Sequence, residues 1–324
     1  MARRALLVGI DEYDFGGNLT GCINDATAMR ALLTRNYDGS PNYDCRLLTS
    51  AGSERITRGN LRHTWEQLFD NFSDDILFYF SGHGTPTQIG GYLVTQDSDE
   101  HDPGLPMNEL LQLANQSQAR EVLLILDCCF SGSLGNPKNL QGQSGIENQA
   151  QLREGVTILA ASRPNEVSLE QIDGHGIFTW LVLNALSGGA ADVRGRISTA
   201  SIYAYVEQVL GPWDQRPLYK SHANQLTPVR LSKPAVQDAL LRELPKFFPT
   251  ELSRYQLDPT YEASDPTAVP EHVAIYDMFT QFRDAGLLRT VGGNHLYYTV
   301  MGSGAVELTE VGQLYWLLAK EGRI

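Results

Sequence analysis

The chain has 324 residues, 42% of them hydrophobic, with 38 acidic against 25 basic side chains and a formal charge of −13. That length exceeds one ordinary domain and points to a large domain with a smaller part attached, while the negative balance disfavours non-specific nucleic-acid binding. No apolar run reaches the length of a membrane span, and "MARRALLVGIDEY" breaks at Gly9 and Asp11 without a small-residue cleavage site, so neither a span nor a secretory signal is expected.

Strands are expected at residues 5–10, 45–49, 76–81, 122–127 and 156–161, because short apolar runs bounded by Gly, Ser and Asp suit strands buried on both faces. Between them, "NDATAMRALLTRNY" and "TRGNLRHTWEQLFDNF" carry apolar residues at helical spacing, with Asn24 or Asp25 as the cap of the first. "MNELLQLAN" reads as a shorter helix, "GHGIFTWLVLNALSGG" as a largely buried one, and residues 198–210 as another; a last strand is expected around Leu218. Alternating strands and helices predict an α/β sandwich with a mainly parallel sheet over residues 1–232.

Beyond the Pro-containing "TPVRLSKP", residues 233–324 read as a second, smaller α+β module. "AVQDALLRELPKFF" is an expected helix, "LDPTYEASDPTAVPEH" a linker, and "EHVAIYDMFTQFRDAGLL" an amphipathic helix closed by Gly286. "HLYYTVM" and "AVELTEVGQLYWLLAKEG" follow, read as two short strands around a Gly-rich turn and then a helix, which makes the module resemble a small winged helix. Its 8 basic and 12 acidic residues disfavour phosphate binding, so a regulatory or protein-interaction role is expected, with Tyr and Trp as anchors for a protein partner.

Chemistry concentrates where two of the expected strands end. "DDILFYFSGHG" ends at His83, and "REVLLILDCCFSG" ends at Cys128 and Cys129. Parallel strands ending on one edge would put the imidazole and a thiol in one crevice, at the carboxyl ends where ligands bind. A free thiol, with a pKa of about 8.5, is only a few per cent ionised at neutral pH, so a nearby imidazole is what the nucleophile needs. The backbone N–H groups of Gly84 and of the turn at Cys129 are candidates for stabilising an oxyanion. A second "GHG" at His175 precedes an apolar helix instead of ending a strand, and is read as a helix start or loop. His63, His101, His222, His272 and His295 are read as surface or structural.

"YFSGHG" together with "LDCCFSGS" resembles the His and Cys motifs of metacaspases, caspase-like cysteine peptidases, in their prokaryotic form. The 46 residues from His83 to Cys129 are similar to the caspase spacing. The metacaspase pattern Asp-x-Cys-x-Ser-Gly selects Cys129 over Cys128 as nucleophile, with Phe130 where many relatives have His. The resemblance implies a cysteine endopeptidase with a Cys129–His83 dyad, and an acidic S1 pocket at Cys22, Asp25, Ser81 and Asp127. Two carboxylates in one small, dry pocket repel each other unless a cation lies between them, so protein substrates with Arg or Lys at the cut are expected. In caspase-like chains the segment equivalent to 133–155 joins two subunits and is cut on activation, which makes Lys138 and Arg153 candidate self-cleavage sites.

No organic cofactor is implied. Some metacaspases are calcium-activated, and Asp97, Asp99, Glu100 and Asp102 are the candidate carboxylates, but they lack EF-hand spacing. Asn108, Glu109 and Asn136 stand where paired Asp would be sought, so calcium activation is disfavoured. No His, Cys and carboxylate cluster has the spacing of a catalytic metal site. The four cysteines, two adjacent, make a poor disulfide framework and fit a reducing cytoplasmic setting. The competing reading is an inactive caspase-fold adaptor acting through the carboxyl-terminal module.

Overall fold

A computed structural model describes residues 3–70, 74–87, 90–128, 152–161, 173–210, 217–224 and 227–324. In chain order the larger unit begins β1 (Arg3–Gly9), α1 (Cys22–Leu33), β2 (Asp44–Thr49), α2 (Arg58–Phe69) and β3 (Asp75–Ser81). A small antiparallel sheet follows, made of β4 (Gly84–Thr87), β5 (Gly90–Leu93) and β6 (Leu105–Pro106). Then come α3 (Met107–Gln116), β7 (Glu121–Asp127), β8 (Val156–Ala160), α4 (Ile177–Asn184), β9 (Arg196–Ile197), α5 (Thr199–Leu210), β10 (Leu218–His222) and β11 (Arg230–Leu231).

The central sheet has the order β10-β8-β7-β3-β1-β2, parallel throughout except for β10 on its edge. Alternate side chains of its strands enter two separate cores, as a pleat of period two requires. On one face Leu6, Val8, Phe78, Phe80, Leu124 and Leu126 pack with Leu61 and Trp65 of α2 and Leu110 and Leu111 of α3. On the other, Leu7, Leu77, Tyr79, Ile125 and Leu159 pack with Met29 and Leu33 of α1, Leu181 and Val182 of α4, and Ile202 and Val206 of α5. All seven residues of β3 are buried, which is why its sequence reads as an unbroken apolar run.

Chain direction across the sheet reverses at β1: β2 lies on one side of it and β3 on the other. Such a switch point opens a crevice at the carboxyl ends of the strands. Gly9, Ser81 and Asp127 stand level there, since Gly9 pairs with Ser81 and Ser81 with Asp127.

The smaller unit comprises residues 192–195 and 233–324. It holds α6 (Asp238–Leu241), α7 (Leu244–Phe247), β12 (Arg254–Gln256), α8 (Pro270–Asp284), β13 (Leu288–Thr290), α9 (Leu296–Met301), β14 (Ala305–Leu308) and α10 (Glu310–Lys320). Two expectations fail here. "AVQDALLRELPKFF" is two short helices, because Pro245 has no N–H to continue a helix and sits in the first turn of a new one. "HLYYTVM" is helical, capped by the His295 ring, which accepts from the Tyr297 N–H at 3.2 Å. The strands are instead β13 and β14, joined by β12 in an antiparallel sheet of order β12-β14-β13.

Phe279, Phe282, Phe248, Leu287 and Trp316 make the core of this unit, and the Trp316 indole donates to the Phe248 carbonyl at 2.7 Å. At Gly312 in α10, a Cβ would lie 1.9 Å from the Leu287 carbonyl oxygen. The helix docks on backbone there, and no side-chain rotation can relieve the overlap. Gly312→Val is therefore expected to lower the stability of this unit by about 3 kcal/mol, read as a lower midpoint in urea unfolding; an unchanged midpoint would show that α10 can move away.

Among the described residues no helix is long and apolar enough to cross a membrane.

Candidate active site

Four side chains singled out by motif meet at the carboxyl edge of the sheet. Ser81 ends β3, Asp127 ends β7, and Cys22 and Asp25 lie in the first turn of α1. The expected capping role of Asn24 or Asp25 is not what the structure shows. Gly21 occupies the cap position in the left-handed region, and Asp11, after β1, accepts the Cys22 N–H at 2.8 Å. Asp25 is thereby released to point inward. Gly9 lets the two segments meet, since a Cβ there would lie 2.3 Å from the Cys22 carbonyl oxygen.

The Asp25 carboxylate is 1% exposed and has a donor on each oxygen. Ser81 Oγ donates to Oδ2 at 3.0 Å, and His175 Nδ1 lies 2.7 Å from Oδ1. Asp127, 2% exposed, accepts from Thr179 Oγ1 at 2.7 Å, and the buried Tyr79 hydroxyl donates in turn to Thr179 at 2.6 Å. Both carboxylates border Gly176: a Cβ there would lie 2.9 Å from Asp127 Oδ2 and 3.5 Å from Asp25 Oδ2. Glycine at this position keeps the space between the two acids open.

Burial and the neighbouring Asp127 charge push the Asp25 carboxyl up to about 6, against the lowering bonds from His175 and Ser81. Burial also pushes the Cys22 thiol well above its ordinary range, although Ser81 bonds to it, so Cys22 is a neutral wall of the cleft and no nucleophile.

His83 follows two residues after Ser81. Its backbone N–H donates to the Tyr13 hydroxyl at 2.8 Å, and the Tyr13 ring packs against the imidazole with centroids 4.8 Å apart. Tyr13 donates to the Ile10 carbonyl at 3.1 Å, tying His83 to the end of β1. His83 Nε2 lies 2.7 Å from the Gly17 carbonyl oxygen, an acceptor only. The neutral ring must therefore carry its proton on Nε2, which leaves the Nδ1 lone pair to accept another. Gly84 pairs with Leu93, and that pair is bracketed by a bond from the Val94 N–H to the His83 carbonyl at 3.1 Å. Gly84 thus occupies a non-exchanging position of the ladder, and its N–H is directed away from β5.

Cys128 is fully buried in the core beneath the edge. Cys129 and Lys138 lie outside the described residues. Arg153 is described, and its guanidinium is engaged: Nε donates to the Ala114 carbonyl at 3.1 Å, and Nη2 to Ser117 Oγ at 2.9 Å and the Ala119 carbonyl at 2.7 Å. It clamps the end of α3 to the start of β7, so a cut after Arg153 requires this clamp to open first.

The acidic loop is also engaged. Arg58 pairs with Asp97 at 3.3 Å and with Asp102, and Arg62 grips both oxygens of Glu109 at 2.6 and 3.0 Å. Asp99 accepts the N–H groups of His101 and Asp102 at 2.8 and 2.9 Å. Among the described residues no group of three or more His, Cys, Asp or Glu is arranged to hold a metal ion.

His175 does lie in the turn just before α4, as its sequence setting suggests, and it is in addition the partner of Asp25. Thr179, Tyr79, Tyr13 and Asp11 were not singled out. The spacing His175-Gly176-x-x-Thr179 carried a signal, because a residue before a helix and one in its first turn can both face the edge where the helix begins.

Fold and site together define an α/β/α sandwich whose ligand edge is shaped by two buried carboxylates and a glycine-flanked histidine. The chain belongs to the caspase-domain family: the family model described as "Caspase domain" matches residues 2–228. A metacaspase-1 from Ajellomyces capsulatus is 27% identical over 221 residues, covering 61% of this chain and 60% of that protein. A metacaspase-6 from Arabidopsis thaliana is 30% identical over 149 residues, covering 41% of this chain and 39% of that one. The chain therefore spans less than two thirds of these relatives. The crystal structure of caspase-1 from Spodoptera frugiperda aligns with a TM-score of 0.49 at 13% identity, over 71% of this chain and 90% of that one.

Proposed function

We propose that the chain is a cysteine endopeptidase that cuts proteins after Arg or Lys. The observation that carries this reading is the pair of buried carboxylates that border Gly176, one of them bonded to Ser81 two residues before His83. A cation entering the Gly176 gap relieves the repulsion between Asp25 and Asp127, whereas a neutral side chain leaves them facing each other without water.

In the proposed reaction, Cys129 gives its thiol proton to His83 Nδ1 and its sulfur adds to the scissile carbonyl carbon. The Gly84 and Cys129 N–H groups receive the oxyanion. The carbon–nitrogen bond breaks as His83 returns the proton to the leaving amine, leaving a thioester. Water, deprotonated by His83, then releases the acid and restores the thiol. The Gly17 carbonyl holds the imidazole in the required tautomer and stabilises the imidazolium once it forms.

Self-cleavage in the 133–155 loop fits Lys138 better than Arg153, given the bonds of the latter. Residues 233–324 are assigned a regulatory or protein-interaction role, and a cytoplasmic location fits the cysteine usage.

The test is release of fluorophore from peptides ending in Arg, Lys or Asp by the wild type and by Cys129→Ala, with calcium and with chelator. Release after Arg and Lys that disappears in the variant is the expected result. Cys129-independent release, or release after Asp alone, overturns the reading; silence in every well favours the adaptor.

A further inference from the structure

We propose that His175 is a specificity-determining residue of the pocket: it holds Asp25 ionised and turned toward the Gly176 gap, ready for a basic side chain. This rests on the reading of that gap as the substrate pocket, and adds to it a residue outside the four the family motif marks.

The geometry supports it in three ways. First, His175 Nδ1 lies 2.7 Å from Asp25 Oδ1, with the imidazole side chain only 15% exposed. Second, the ring is itself packed in place: Asn24 Nδ2 lies 3.2 Å from His175 Nε2 and 3.5 Å from Nδ1, and donates to the Gly174 carbonyl at 3.1 Å. The Asp25 carboxylate, an acceptor when ionised, puts the proton of the neutral ring on Nδ1. Third, His175 and Ser81 bond to different oxygens of Asp25, so the carboxylate cannot rotate away. The left-handed turn at Asp173 and Gly174, with φ of 53° and 77°, delivers the histidine to this position just ahead of α4.

Among the described residues, the other titratable groups near Asp25 work against its ionisation or are neutral. Asp127 from β7 repels it, Tyr79 from β3 and Cys22 from α1 are held neutral by burial, and Asp11 before α1 is a further acid. Among the described neighbours His175 is the one imidazole, and its bond lowers the proton affinity of Asp25. A proton taken up by the pair at low pH removes one negative charge from the pocket whichever partner holds it, and weakens the grip on a cation.

The experiment measures benzamidine binding by calorimetry between pH 5 and 8.5 on the full chain carrying Cys129→Ala, so that no turnover is needed. Affinity should fall as pH drops through about 6, where Asp25 gains its proton. With His175→Phe the carboxyl loses its donor, so the midpoint should move up by about one unit, and affinity should fall about twofold at pH 7 and nearly tenfold at pH 5. His175→Asn retains an N–H donor and should lie between the two, which also covers the case in which the Phe variant fails to fold. A midpoint unmoved in both variants, while Asp25→Asn abolishes binding, overturns the role of His175. Benzamidine binding that survives Asp25→Asn, or is absent from the parent, overturns the pocket itself.

Discussion

His83→Ala is expected to lower kcat on an Arg-ended peptide by about 1,000-fold while KM changes little, because a positioned acid and base contributes 10²- to 10⁴-fold to the bond-breaking step. In the proposed reaction the imidazole serves that step and not binding. Tyr13 fixes its backbone and the Gly17 carbonyl fixes its tautomer. Steady-state kinetics separates the two parameters. A second readout is alkylation of Cys129 by iodoacetamide near pH 6.5, which should slow in the variant because the thiolate loses its imidazolium partner. The background is low: burial raises the Cys22 and Cys45 thiols, and Cys128 is inaccessible. Equal losses in kcat and 1/KM, or an unchanged alkylation rate, would assign His83 to the architecture instead.

The second large effect is expected at Asp25. Asp25→Asn keeps shape and one acceptor oxygen but removes the charge; the Ser81 hydroxyl can turn to accept from the new NH2. Hydrogen bonds to a charged partner are worth about 1.5–3 kcal/mol, so kcat/KM on an Arg peptide should fall about 100-fold. The neutral analogue with citrulline in place of Arg should be cut as slowly as before, collapsing the preference between them. Stability should move in the opposite direction. An acid raised from 3.8 to about 6 on folding binds its proton more tightly in the folded chain, so its stabilising effect is complete below pH 3.8 and is lost as pH rises through 6. At pH 7.5 the ionised Asp25 is a burden on the fold, and Asp25→Asn should unfold at the same temperature or higher. A variant that loses stability and all activities together would mean that Asp25 is structural.

The larger unit was legible because its strands are buried on both faces. "LFYF" and "LLIL" admit few other settings, and the level ends of β3 and β7 follow from parallel pairing. His175 was hidden for a different reason. Its partner lies 150 residues away in sequence, and the meeting depends on a left-handed turn before α4 that no hydrophobic period encodes. The capping expectation failed because Asp11, a loop residue before the helix, took the role that helix-proximal side chains usually fill. In the smaller unit, "HLYYTVM" has the aromatic and β-branched content of a strand, yet it folds as a helix with Leu296 and Val300 on its buried side. Tertiary packing overrode local preference there.

Because Ser81 and Asp127 are neighbours across a ladder, the sheet serves as a ruler for the pocket wall. Loops around the edge can lengthen or change sequence without altering the spacing between those two side chains, which is set by strand separation. Deleting one residue inside β7 would be a different kind of change. It would draw Asp127 back by one strand step, about 3.3 Å, and turn its side chain to the opposite face of the sheet. The evolutionary freedom of such a site is therefore unevenly distributed: wide in the connections and nearly absent in the strands, whose length sets the spacing of the proposed pocket.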